Sequence, residues 1–263
     1  MEDLTNEPEL LSRIDDGVAT LTLNRRSARN ALSFSLMGEL LEAILRLGQD
    51  SAAKVLVIAG NGPAFCAGHD LRELRTAPTR DRYEQVFERC AALMLAITRC
   101  PKPVIARVHG VATAAGCQLV ATCDLAIAES GARFATPGVN IGLFCSTPMV
   151  ALTRAVGRKP AMEMLLAGDL VDAEEARRIG LINRVVPAAQ LDAEVAKLAA
   201  KIAGKSPLTL AIGKEAFYRQ AELGLEEAYR HAADVMVRNM MAADAAEGID
   251  AFLEKRQPEW RGC

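Results

Sequence analysis

Three short apolar runs, KVLVIAG (54–60), PVIARVHG (103–110) and DLAIAES (124–130), constrain this chain more than any other feature. Each has the length and β-branched content of a strand buried on both faces, a pattern typical of sheets covered by helices on either side. Between them the apolar period changes to that of helices. SFSLMGELLEAILRL (33–47) carries such a period behind Ser33 as its cap, a second long helix runs from Arg82 to Ile97, and ATAAGCQLVATC (112–123) reads as a third. Ahead of these, LLSRIDDGVATLTLNR reads as two strands joined at Asp16-Gly17, a pair that favours a tight hairpin. Such alternation predicts an α/β layered architecture.

Beyond residue 146 helical patterns follow one another, separated by Gly157, Gly168, Gly180 and Gly204, with a brief strand-like INRVV (182–186) among them. Asp172 with Glu175 reads as a capping box, and Ser206-Pro207 as a cap followed by proline at the first helical position. Three helices are expected from Ser206 to Lys255. Their apolar stripe, including Met236, Met240, Met241 and Phe252, suits a core or a subunit interface better than a ligand pocket. The chain therefore divides into an α/β core over 1–205 and a helical region over 206–263.

Composition narrows the function. With 51% hydrophobic residues and a formal charge of −2, the chain has no bias toward nucleic acid, and no apolar run approaches the ~18 residues needed to span a membrane. Seven cysteines without a CxxC pair and three histidines without HExxH spacing suggest neither a disulfide framework nor a metal site. The acidic N-terminus, MEDLTNEPEL, lacks the features of a secretory or organellar leader, so a cytoplasmic protein is expected.

Two glycine-marked turns each follow a buried strand. GNGPAFCAGHDLRE (60–73) opens as Gly-x-Gly, but Phe65 stands where a dinucleotide fingerprint needs its third glycine and Pro63 removes a backbone donor. HGVATAAGCQL (109–119) enters a helix through small residues that let a ligand approach the backbone. The unpaired N–H groups of a helix start suit a carbonyl oxygen that acquires negative charge.

FCAGHDLRE, PKPVIARVHGVATAAGCQLVATCDLAIA and LAGDLVDAEEARRIGLINRVV together resemble the enoyl-CoA hydratase/isomerase family, the crotonase superfamily. The likeness extends from about residue 10 to FLEKRQPEW, and its wording is closest to the enoyl-CoA hydratase domain-containing branch, whose animal members are associated with mitochondria. It implies a crotonase-like spiral of ββα repeats with a C-terminal helical oligomerisation region, giving trimers or hexamers. It also implies an acyl-CoA thioester as substrate and no further cofactor. The matching positions place the backbone N–H groups of His69 and Ala115 in an oxyanion hole, where one fixed donor can be worth ~3 kcal/mol. Most relatives carry glycine at the Ala115 position. Ala67, Asp70, Leu71 and Arg72 would line CoA, Arg26 with Arg25 and Arg29 would meet phosphates, and Phe252 and Lys255 would approach CoA from a neighbouring subunit.

The two glutamates that activate and deliver water in the family's hydratases are replaced here by Gln118 and Gly138. An amide holds water but cannot exchange a proton near neutral pH, and general acid–base help is worth about 10²- to 10⁴-fold per group. Other chemistries of the family place an acid at the position of Asn140 or Ser146. Cys145 and Ser146 remain as reactive groups, with inert lining favoured for the thiol and helix capping for the hydroxyl. The expected function is acyl-CoA binding with enolate stabilisation and weakened hydration. The alternatives are a non-catalytic acyl-CoA binder or a different thioester reaction such as hydrolysis.

Overall fold

The computed structural model describes residues 7–263. Strands β1 (Leu10–Asp15) and β2 (Val18–Leu23) form the expected antiparallel hairpin, turned by Asp16 and Gly17 at φ 45° and 80°. Helix α1 (Phe34–Gln49) follows, and Ser33 caps it by accepting the Leu36 N–H at 3.0 Å. Next come β3 (Val55–Gly60), α2 (Leu71–Thr76), α3 (Arg80–Arg99), β4 (Val104–Val108), β5 (Val111–Thr113) and α4 (Ala115–Thr122). The chain continues through β6 (Leu125–Glu129), β7 (Arg133–Ala135), α5 (Ser146–Ala155), α6 (Arg158–Ala167), β8 (Val171–Asp172), α7 (Ala173–Arg178), β9 (Arg184–Val186) and α8 (Leu191–Ala203).

Six strands form one sheet in the order β1-β2-β3-β4-β6-β9, parallel from β2 onward, and β5-β7-β8 form a smaller second sheet. The continuous apolar character of KVLVIAG has a direct cause. Leu56 and Ile58 face a core built with Leu36, Leu40 and Leu47 of α1 and Cys90, Leu93 and Ile97 of α3, while Val55 and Val57 face Leu191, Val195 and Ala199 of α8. Each large side chain so buried contributes about 1.5–3 kcal/mol.

Three sequence expectations change. The helix expected over 112–123 begins only at Ala115, because Val111–Thr113 pairs with Arg133–Ala135 in the second sheet. Asp172 caps α7 through the Glu175 N–H at 2.8 Å, but the Glu175 carboxylate turns to Arg178 instead of closing a capping box. Ser146 is the first residue of α5 and not its cap; its Oγ donates to the Phe144 carbonyl.

The last three helices, α9 (Pro207–Gln220), α10 (Leu225–Met240) and α11 (Ala243–Glu254), start where Ser206 accepts the Thr209 N–H. They contribute few residues to the core. A polar latch holds α9: Lys214 Nζ reaches Asp124 at 2.6 Å and the carbonyls of Ile97 and Lys102, and Tyr218 donates to Asp124 at 2.7 Å. Met236, Met241 and Phe252 stay 59%, 82% and 82% exposed, so the stripe does not fill this chain's own core.

Candidate functional site

The two glycine-marked turns lie against each other at the C-terminal ends of β3 and β4. Cys66 N–H donates to the Val111 carbonyl at 3.1 Å, Thr113 N–H returns to the Cys66 carbonyl at 3.0 Å, and Thr113 Oγ1 donates to the Ala67 carbonyl at 3.1 Å. Leu32 ties the outer edge of the turn, donating to the Gly68 carbonyl and accepting from the Asp70 N–H. Two glycines make the approach possible. A Cβ at Gly116 would stand 2.1 Å from the Cys66 carbonyl oxygen, and one at Gly68, whose φ is 100°, would stand 3.5 Å from the Ala115 nitrogen.

Residue 68 and the first turn of α4 are therefore neighbours, as the spacing of the motifs demands. Among the described residues neither the His69 nor the Ala115 N–H donates to a protein acceptor; the first α4 bond runs from Gln118 N–H to the Ala114 carbonyl. Ala114 holds φ 51° and ψ −118°, a conformation that costs an alanine on the order of 1–3 kcal/mol.

The His69 ring packs edge-on against Phe87 of α3 with centroids 5.5 Å apart, and among the described residues neither ring nitrogen finds a protein partner. Burial pushes its pKa down to about 4 despite the opposing charge of Glu73, so the imidazole is neutral near pH 7. Gln118 is buried on α4, where Cys90 of α3 donates its thiol hydrogen to Oε1 at 3.8 Å. Burial raises the Cys90 thiol to about 12, which keeps that hydrogen in place.

Gly138 leaves no room for a side chain. Its Cβ would lie 2.5 Å from the Leu143 carbonyl oxygen and 2.9 Å from Cys145 Sγ, because the 137–145 loop folds back and Leu143 N–H donates to the Gly138 carbonyl. Burial also raises the Cys145 thiol, against the Gly138 backbone bond that lowers it, so no thiolate is poised there. Asn140 is exposed and turned toward the Gly168 carbonyl, and Ser146 is exposed as well. Sequence reasoning missed Thr136, whose fully buried hydroxyl has no partner among the described residues, and Cys90, Phe87 and Ala114. No local pattern distinguishes these four; they matter through contacts made across the fold.

The basic turn divides. Arg25 is occupied: it bridges Glu9 at 2.8 Å and Asp70 at 2.9 Å, which corrects its expected place on a phosphate. Arg26 and Arg29 are exposed and, among the described residues, make no ion pair. Asp70 caps α2 through the N–H groups of Arg72 and Glu73. Burial opposes its charge, but the Arg25 guanidinium and those donors prevail and hold its carboxyl below the usual range. Leu71 and Arg72 lie exposed on the first turn of α2, directly after His69 and Asp70. Phe252 and Lys255 sit at the far end of α11, which packs chiefly on α9 and α10, so within one chain they are not brought to this site.

Among the described residues no group of three His, Cys, Asp or Glu side chains is placed to hold a metal, and no helix is long and apolar enough to cross a membrane. The family model for enoyl-CoA hydratase/isomerase matches residues 13–263. The chain is 48% identical to enoyl-CoA hydratase domain-containing protein 3 of Rattus norvegicus, over 97% of this chain and 85% of the relative. The enoyl-CoA hydratase structure from Mycobacterium smegmatis superposes with a TM-score of 0.95 at 55% identity, covering 97% of this chain and 99% of that one. The human enoyl-CoA hydratase domain-containing protein 3 structure gives 0.94 at 46% identity, covering 96% and 100%. The domain-containing protein 3 relatives from rat, mouse and human are named as mitochondrial, which overturns the cytoplasmic placement read from the N-terminus, whose first six residues lie outside the described ones. From the first β-hairpin strand to residue 263, in motif, topology and superposition alike, this chain belongs to the enoyl-CoA hydratase/isomerase family.

Proposed function

We propose that the protein binds an acyl-CoA thioester and stabilises its enolate between the backbone N–H groups of His69 and Ala115. One observation carries this reading: among the described residues both amides are free of protein acceptors, and tight glycine packing at Gly68 and Gly116 holds their two loops together. Two fixed donors aimed at one oxygen act where charge develops and need no reorganisation during reaction. Asp70, Leu71 and Arg72 flank the thioester side, Ala67 supplies backbone, and Arg26, with Arg29 beside it, is a cation placed to meet CoA phosphate. No bound cofactor enters this scheme.

Hydration of the usual kind is weakened, because Gln118 and Gly138 stand where the family's hydratases carry their two glutamates. Cys145 and Asn140 line the acyl side of the loop, with Ser146 at its edge. Family members usually oligomerise, and we assign residues 206–263 to subunit contacts in a trimer or a pair of trimers. The exposed stripe of Met236, Met241 and Phe252 supports that role, which would bring Phe252 and Lys255 to a neighbour's CoA.

The experiment is calorimetric titration of the intact protein with short, medium and long acyl-CoAs, paired with the loss of conjugated thioester absorbance. Micromolar binding with turnover below that of an acid-bearing hydratase is expected. Absence of binding to every ester would refute it.

A further inference from the structure

The direction of the His69 N–H is set from outside the two glycine-marked turns. Leu32 and His69 form an isolated parallel bridge, in which Leu32 N–H donates to the Gly68 carbonyl at 2.7 Å and Asp70 N–H donates to the Leu32 carbonyl at 3.1 Å. Ala67 N–H adds a bond to the Arg29 carbonyl at 3.0 Å. The peptide group between Gly68 and His69 is planar and trans, so its N–H points opposite to its carbonyl. With that carbonyl turned to Leu32, the His69 N–H is aimed away from Leu32 and left without a protein acceptor among the described residues.

The aim therefore depends on what places Leu32. Arg29 and Asn30 just before it hold φ 52° and 54°, a region that non-glycine residues keep only where their surroundings fix them. Arg25 supplies that fixing. Its carbonyl accepts the Ala28 and Asn30 N–H groups at 3.0 and 2.9 Å. Its guanidinium, only 19% exposed, engages through every nitrogen: Nε with Glu9, Nη1 with the Ala31 carbonyl and Nη2 with Asp70. Glu9 in turn accepts the Ser33 hydroxyl at 2.9 Å. Asp70 takes Arg25 on Oδ2 and the N–H groups of Arg72 and Glu73 on Oδ1, so one carboxylate joins the guanidinium to the start of α2. Ala31 precedes Leu32 and Asp70 follows His69, so the guanidinium spans the same two strands that the bridge joins. A planar fork can serve both acceptors in fixed directions at once, which a single ammonium cannot.

We propose that Arg25 is a positioning residue for the oxyanion hole: by holding Ala31 against Asp70 it keeps the His69 N–H aimed at the thioester oxygen, without touching CoA itself. The proposal rests on the enolate-stabilising reading of that hole. The Ala115 donor is held separately, by the start of α4. Loss of the Arg25 fork thus misaims one donor of the two and leaves the other in place.

The test compares the intact parent protein with Arg25→Lys, which keeps the charge and gives up the fork. Butyryl-CoA labelled with ¹³C at C1 is bound to each, and its C=O stretch is read by difference infrared spectroscopy well below the midpoint of each protein's thermal melt. Free CoA is titrated by calorimetry alongside. The carbonyl shift to lower frequency should fall to about half in Arg25→Lys, since one of two fixed donors is lost, while affinity for free CoA stays unchanged. Asp70→Asn gives up the ion pair but keeps an oxygen for the α2 cap; it should reduce the shift likewise, and it carries the test if Arg25→Lys does not fold. A parent protein that binds the ester with no shift removes the hole reading and this proposal with it. A parent shift that persists in full in both variants overturns the proposal and leaves the hole reading standing. Weakened free CoA binding in Arg25→Lys with the shift intact does the same, and returns Arg25 to a phosphate contact.

Discussion

Gly138→Glu places a carboxylate in the 137–145 loop, and the geometry predicts that it destabilises the protein without conferring hydration. A Cβ at this position would sit 2.5 Å from a backbone oxygen, that of Leu143, and 2.9 Å from Cys145 Sγ. The nearer obstacle is backbone, so the loop itself must move. Overpacking of this kind costs about 1–3 kcal/mol. Moving Leu143 also breaks its 2.9 Å N–H bond to the Gly138 carbonyl, for about 1 kcal/mol more. In a chain of this size the combined effect is a fall in Tm of roughly 5–15 °C. The assay is a thermal melt of Gly138→Glu, with crotonyl-CoA hydration compared between Gln118→Glu alone and the double variant. The single Gln118 variant should gain measurable hydration, and adding the second glutamate should improve it little. A Gly138→Glu protein that melts within about 2 °C of the parent, with the double variant hydrating far faster than the single one, would refute the filled-pocket argument.

Ala114→Gly should stabilise the protein by about 1 kcal/mol in urea denaturation, because relief of an alanine at φ 51° outweighs the entropy glycine loses on folding. Lys214→Met removes the cation paired with the partly buried Asp124, and should cost about 3 kcal/mol and speed amide exchange across Pro207–Gln220. The His69 imidazole titrates near 4 in the folded chain against 6.5 when unperturbed. The unfolded chain therefore takes up the proton first, and stability present above pH 6.5 is lost as pH falls toward 4, by up to about 3 kcal/mol. His69→Phe should flatten that stretch of the stability profile, and ring-carbon NMR should find the parent imidazole neutral at pH 5. Gly116→Ala, whose Cβ would meet the Cys66 carbonyl, should separate the two turns and abolish ester binding in calorimetry.

The features legible in the sequence are those set by local chemistry. Asp16-Gly17 turns a hairpin because two adjacent residues must take positive φ, and Ser33 and Ser206 cap helices through bonds only three residues long. The apolar runs expose their burial on both faces directly. The second sheet escaped because Val111–Thr113 is recognisable as a strand only through Arg133–Ala135, and its small residues equally suit a helix. Arg25 looked free because its partner Asp70 lies 45 positions away, and the Lys214–Asp124 latch spans 90. That Gly138 brings no side chain to the site was visible in the sequence. That the loop had closed over the vacated space was not, since it depends on where the Leu143 carbonyl points.

The account depends on a polarised thioester carbonyl, and difference infrared spectroscopy reads that bond itself. Butyryl-CoA labelled with ¹³C at C1, bound to the intact protein, should show its C=O stretch shifted to lower frequency than in water, with the shift reduced in Gly68→Val, where the bulkier side chain would push the His69 loop off Ala115. A bound carbonyl that vibrates at or above its frequency in water would contradict the assignment of the His69 and Ala115 amides to that oxygen.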